Sequence, residues 1–239
     1  MRAAAVVRTV LEHGRTIFAE LRSAPPLTLR QTGPHTVHLV STAAGPLGGD
    51  VLDLALDLAP GTTLELASIG SSLVLPGPGE SLSRVTARVG AEASLTYTPE
   101  PVVLASGAVH RSLVRLEQSP AARVLWREEL VLGRHGEPAG RCRTRFDATV
   151  AGRPLLRQDL LVGDPSTTAS PAVYGTSRCL GTTLITSCDG EEAVVGDGVA
   201  VLPLAGPGTL VSALADDTVT LRRRLLWGEA VAQARDPAP

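Results

Sequence analysis

Val51-Leu52-Asp53-Leu54-Ala55-Leu56-Asp57-Leu58 alternates without a break: every even position is Leu, and Asp53 and Asp57 fall on the other side. Successive side chains of a strand point to opposite faces, so this octapeptide reads as a strand with one buried and one solvated face. Pro60-Gly61 ends it, and the alternation resumes through Leu64 and Leu66 to Ser68. Cys142-Arg143-Thr144-Arg145-Phe146-Asp147-Ala148-Thr149-Val150 alternates as cleanly. Weaker runs lie at 36–41, 84–89, 94–98, 109–116, 123–132 and 155–162, with Gly, Pro and Asp between them. Short strands at close spacing predict a mainly β protein of stacked antiparallel or mixed sheets, sandwich- or solenoid-like. No internal sequence repeat stands out.

The last third differs. Asp216-Asp217 precedes a stretch with few breakers, which predicts a helix over about 217–234 with one of the two Asp as its cap. Leu221 and Leu225 share a face there, and Gly228 weakens the helix locally. Residues 166–170 read as a polar loop, and 176–187 fit strand or helix equally. The expectation is one domain over 1–239, with a β-rich core at 28–165.

The chain has 239 residues and a formal net charge of -2, so it lacks the basic excess that nucleic-acid backbones require. At this size a chain buries roughly 70% of its unfolded surface, enough for a substantial core. Only 3% of residues are aromatic, so the core must be built from Leu, Val and Ala. Neither Lys nor Asn occurs. That excludes a P-loop lysine, a Schiff-base amine and an N-glycosylation site. Cys142, Cys179 and Cys188 form no metal-binding spacing, and an odd count argues against a secreted disulfide scaffold. The apolar run before Arg8 is too short for a signal peptide, and no stretch approaches a membrane span. The reading is a soluble, cytoplasmic chain.

Three motifs carry the remaining information. Gly45-Pro46-Leu47-Gly48-Gly49-Asp50 reads as a structural turn, because a strand rather than a helix follows it. Pro99-Glu100-Pro101 forces an extended segment around one carboxylate. In Glu128-Glu129-Leu130-Val131-Leu132-Gly133-Arg134-His135-Gly136-Glu137, the two leading carboxylates point to opposite faces of a strand. One of them shares the side of Leu130 and Leu132. Arg134 and Glu137 read as an ion pair across a turn. His35 and His38 cannot chelate together from a strand, and His13, His110 and His135 are isolated. No nucleophile-base pair and no metal cage is assembled in the sequence, so no enzyme is expected.

In this order and spacing the three motifs resemble the UreD family of urease accessory proteins, also called UreH. His35 to Ser41 ahead of the first motif, Val89-Gly90-Ala91 and Gly152-Arg153-Pro154-Leu155-Leu156 extend the resemblance over roughly 28–165. Residues 68–83 depart from the family, and Glu100 stands where the family often has Gln.

The resemblance implies a scaffold or chaperone in the nickel-dependent maturation of apo-urease. It implies UreF as a partner, the GTPase UreG through UreF, and a dimer in the assembled complex. No tightly bound cofactor is implied, only nickel in transit. Transit calls for weak, sequential ligands rather than a tight cage. Asp50, Glu100 and Glu128, singled out by the three motifs, are the candidate carboxylates of such a passage. Arg222, Arg223, Arg224 and Trp227 are the candidate partner surface, since Arg and Trp are enriched where interfaces carry their energy. Two other readings stand beside this one. One is a β-sandwich interaction module unrelated to urease. The other, a hydrolase using Asp50 and Glu128, is disfavoured by the scarcity of aromatics.

Overall fold

The structure, a computed structural model, describes residues 1–164, 170, 172–186 and 192–234. In chain order the strands are β1 (Arg2–Glu12), β2 (Arg15–Arg22), β3 (Leu27–Gln31), β4 (Thr36–Ser41), β5 (Val51–Leu58), β6 (Thr63–Ser68) and β7 (Ser72–Val74). There follow β8 (Ser81–Val89), β9 (Ser94–Thr98), β10 (Val102–Leu104), β11 (Val109–Gln118), β12 (Arg123–Leu132), β13 (Arg141–Val150) and β14 (Arg153–Val162). The last are β15 (Cys179–Ile185), β16 (Val194–Gly196), β17 (Val199–Pro203) and β18 (Thr209–Ala215), before a helix α1 (Thr218–Gln233).

Two sheets face each other. The first is ordered β14-β13-β11-β8-β5-β1-β2. The second runs β16-β17-β18-β15-β12-β9-β6-β4-β3, with β10 bridging β12 to β7. At the centre of both sheets neighbouring strands are parallel. The chain therefore winds in coils, passing from β5 to β6 and β7, back to β8, then to β9 and β10, back to β11 and on to β12. The mainly β, solenoid-like architecture expected from the alternation is what forms.

Successive coils stack by apolar character rather than by identity. Leu54 registers with Val85, Val85 with Val114, and Val114 with Phe146. The turns stack as well: the amides of Thr62, Ala93 and Ala122 bond the carbonyls of Ala59, Gly90 and Ser119. Inside, Leu56, Leu64, Leu66, Leu95 and Leu116 are almost wholly buried, with Tyr97 stacked on Trp126 at 3.9 Å between ring centroids. On the outer face of the first sheet, Asp53 meets its register partner Arg84 at 2.7 Å, and Asp57 meets Arg8 at 3.3 Å. Exposed pairs of this kind stabilise little, but opposite charges at facing positions favour one register.

Helix α1 lies against β15, β17 and β18. Asp217 caps it, accepting the Thr220 amide at 2.8 Å, and Leu221 and Leu225 are fully buried. Gly228 costs helix propensity, yet a Cβ there would come within 2.4 Å of Val211. A Cβ on Gly181 of β15 would lie 2.7 Å from Leu225. These two glycines let the helix sit close to the sheet, and close packing offsets the propensity cost. Cys188 and most of the 166–170 loop lie outside the described residues.

Candidate functional site

The inner face of the first sheet changes character along the strands. The rung Leu56, Ala87, Leu116, Ala148 is apolar, and so is Leu54, Val85, Val114, Phe146. The next rung is Leu52, Ser83, Ser112, Thr144, and beyond it Ser81, His110 and Cys142 stand side by side. Apolar rungs close against the facing sheet, whereas the small polar rungs leave space. A cavity of about 160 Å³ opens there, lined among others by Ser83, Ser112, Thr144, Gln158, His110 and Glu128. That volume admits several waters or a hydrated ion, and its walls offer them hydrogen-bond partners.

Strand β12 sends three consecutive charges to two sides. Arg127 and Glu129 point away from the cavity's centre, toward α1. Arg127 is buried and donates to both oxygens of Glu229, at 2.8 and 2.5 Å, while Thr183 Oγ1 donates to the same carboxylate at 2.7 Å. Glu129 is also buried and accepts from Arg222 Nε at 2.5 Å. Burial raises the Glu129 pKa and Arg222 opposes that rise. Arg222 extends to Glu100, 3.4 Å away, so Glu100 and Glu129 share one cation at the cavity wall.

Glu128 faces inward, on the side of Trp126, Leu130 and Leu132. Its carboxylate has no ion pair or hydrogen bond among the described residues, and the space it meets is the cavity. Burial without a partner penalises the charged form and pushes its pKa up to about 7. The sequence left open which glutamate turned inward; it is Glu128.

His110, on β11, is 3% exposed and lines the same cavity. Its Nδ1 lies 2.8 Å from Ser81 Oγ. Burial lowers its pKa to about 4, so the ring is neutral at physiological pH. Beside it, burial raises the Cys142 thiol to about 12, with the Glu128 charge adding to the effect.

The remaining sequence candidates fall elsewhere. Asp50 does not line the cavity. It accepts the Met1 ammonium at 2.6 Å and the Leu47 amide at 2.9 Å, closing its own turn, and the ammonium holds its pKa low. Gly48 packs backbone to backbone against Gly77, where any Cβ would lie 2.6 Å from the opposing chain. The first motif is thus a structural turn zipped onto the segment after β7. Arg134 and Glu137 form the expected pair, at 2.8 and 2.9 Å, which brings Glu137 down to about 2. Arg178 fastens that loop through the carbonyls of Leu132, Arg134 and Glu137. On α1, Arg222 is engaged inside and Arg224 bonds Asp197 and the Leu214 carbonyl. Arg223 and Trp227 are exposed, next to exposed Val219 and Leu226.

Sequence reasoning missed His110, Ser83, Ser112, Thr144 and the Arg127–Glu229 pair. The first four did leave a signal: each is polar on the parity that is apolar elsewhere in its strand. Arg127 and Glu229 are 102 positions apart and left none.

A family model described as UreD urease accessory protein matches residues 1–238. The chain is 40% identical to a urease accessory protein UreD of Parafrankia sp. (strain EAN1pec), covering 100% of this chain and 92% of that one. It is 38% identical to the namesake in Frankia casuarinae, over 97% and 90%. Against urease accessory protein UreD 1 of Saccharopolyspora erythraea it is 38% identical, over 94% and 93%. No helix among the described residues is long and apolar enough to cross a membrane. With a family model and relatives that match over nearly its whole length, the chain belongs to the UreD family of urease accessory proteins.

Proposed function

We propose that this chain is a non-catalytic scaffold and chaperone in the nickel-dependent maturation of apo-urease, working in the cytoplasm. It joins UreF, and UreG through UreF, in a complex where two copies are present. Nickel is its cargo, and no cofactor is held tightly. The observation that carries this reading is a largely apolar cavity into which a few polar groups project, with Glu128 unpaired among the described residues and Glu100 and Glu129 at its wall. Keeping a half-buried carboxylate without a partner among the described residues costs stability, so its presence points to a use. Oxygen donors and water bind Ni²⁺ weakly enough to let it go. Asp50, tied into its turn, serves this reading by shaping the backbone near the passage. The family match over residues 1–238 disfavours a module unrelated to urease.

The exposed stripe of α1, Arg223 and Trp227 with Val219 and Leu226, is the surface assigned to UreF. Arg222 and Arg224 support it from inside.

The test is urease activation in the assembled complex. Glu128→Gln and Glu100→Gln should lower activation while co-purification with UreF and apo-urease is unchanged. Asp50→Asn should reduce activation and assembly together. Full activation by Glu128→Gln and Glu100→Gln, singly and combined, would remove the passage.

A further inference from the structure

Resting on that reading, we propose that His110 is a stopping point for the divalent transition metal inside the cavity, with its Nε2 as the nitrogen donor, the Glu128 carboxylate on the facing sheet as the companion donor, and water completing the shell.

The argument begins with the imidazole's two nitrogens. Ser81 Oγ is directed at the Val109 carbonyl, 3.4 Å away, so it offers a lone pair to His110 Nδ1 at 2.8 Å. That contact places the proton on Nδ1 and leaves Nε2 with a free lone pair. That nitrogen has no hydrogen-bond partner among the described residues, although the side chain is almost wholly buried. The space it can reach is the cavity. A hydrogen bond that fixes the far nitrogen is also the usual arrangement behind a metal-binding histidine.

Selectivity gives the position a use. A path of carboxylates and water alone favours the hard cations, whereas an imidazole favours nickel and its neighbours. Among the described residues no three His, Cys, Asp or Glu side chains converge on a metal position. The described residues therefore offer at most a pair of donors at this point, which suits an ion that must leave again.

Imidazole nitrogen resonances of the ¹⁵N-labelled full chain, titrated with Ni²⁺ alone, decide the matter. His110 Nε2 should broaden below one equivalent, and a large excess of Mg²⁺ should not reverse it. Exposed His13, His35 and His135 and half-buried His38 should respond only at higher nickel. The His110 signal is identified by its absence in His110→Gln. Broadening confined to the other four histidines overturns the proposal, as does reversal by Mg²⁺ or no broadening at all. The passage reading fails separately: if filling the cavity with Ser112→Leu leaves urease activation in the assembled complex untouched, the passage is lost whatever the His110 signal does.

Discussion

Strand β12 places neighbouring charges in opposite circumstances. Toward α1, Arg127 and Glu129 are buried with partners, Glu229 and Arg222, at hydrogen-bonding distance. Toward the cavity, Glu128 has no partner among the described residues. One side uses charge to fix where the helix lies, and the other keeps charge available. The distinction is energetic: removing a group from a paired buried site leaves its partner stranded, whereas neutralising an unpaired one relieves a penalty.

The largest effect is expected on the helix side. Glu229→Ala strands the Arg127 guanidinium and should cost about 3–5 kcal/mol, read as a fall in thermal midpoint. Replacing Arg127 and Glu229 together by apolar residues of similar volume should restore most of that loss. A midpoint unchanged in Glu229→Ala would mean that the pair is ornamental and the contrast between the two sides is wrong.

On the cavity side the sign reverses and depends on pH. A carboxyl raised from 4.5 to about 7 binds its proton more tightly in the folded chain than in the unfolded one. Its contribution is therefore fully present below about pH 4.5 and is lost as pH rises through about 7, amounting to no more than about 3 kcal/mol. Glu128→Gln cannot lose a proton, so its stability advantage over the parent should appear above pH 5 and level off beyond pH 7. Denaturant titrations of both proteins across pH 4 to 8 check this. Parallel curves would place Glu128 in a compensated environment.

The smallest effect on stability is expected outside both, on the exposed stripe of α1. Arg223→Ala with Trp227→Ala should move the folding free energy by no more than about 0.5 kcal/mol, as surface changes generally do. Co-purification with UreF should nevertheless weaken. Unchanged binding would return the stripe to a merely solvated face.

Much of the fold was legible because Leu, Asp and Arg alternate sharply in β5 and β13. Strand β1 was missed because Ala3, Ala5 and Val7 alternate with Ala4 and Val6, giving burial without a polarity contrast. Strands β7 and β10 are three residues each, too short for any period to appear. The coil repeat was hidden because stacked positions conserve only an apolar character, as in Leu54, Val85, Val114 and Phe146. Of the site, the carboxylates of the motifs were visible as residues. Their roles were not, because Glu100, Glu128 and Glu129 acquire them from α1 and β11, elements distant in sequence. Proline and glycine in the motifs announced tight backbone, and tight backbone is what Gly48 and Gly77 provide.

The central claim is that the cavity side carries the cargo while the Arg127–Glu229 pair only builds the protein. The direct measurement is nickel delivered to apo-urease per assembled complex, compared between Ser112→Leu, which fills the cavity, and the parent chain. Delivery should fall severalfold with Ser112→Leu while the amount of complex stays the same. Equal delivery through a chain whose cavity is filled would contradict the claim.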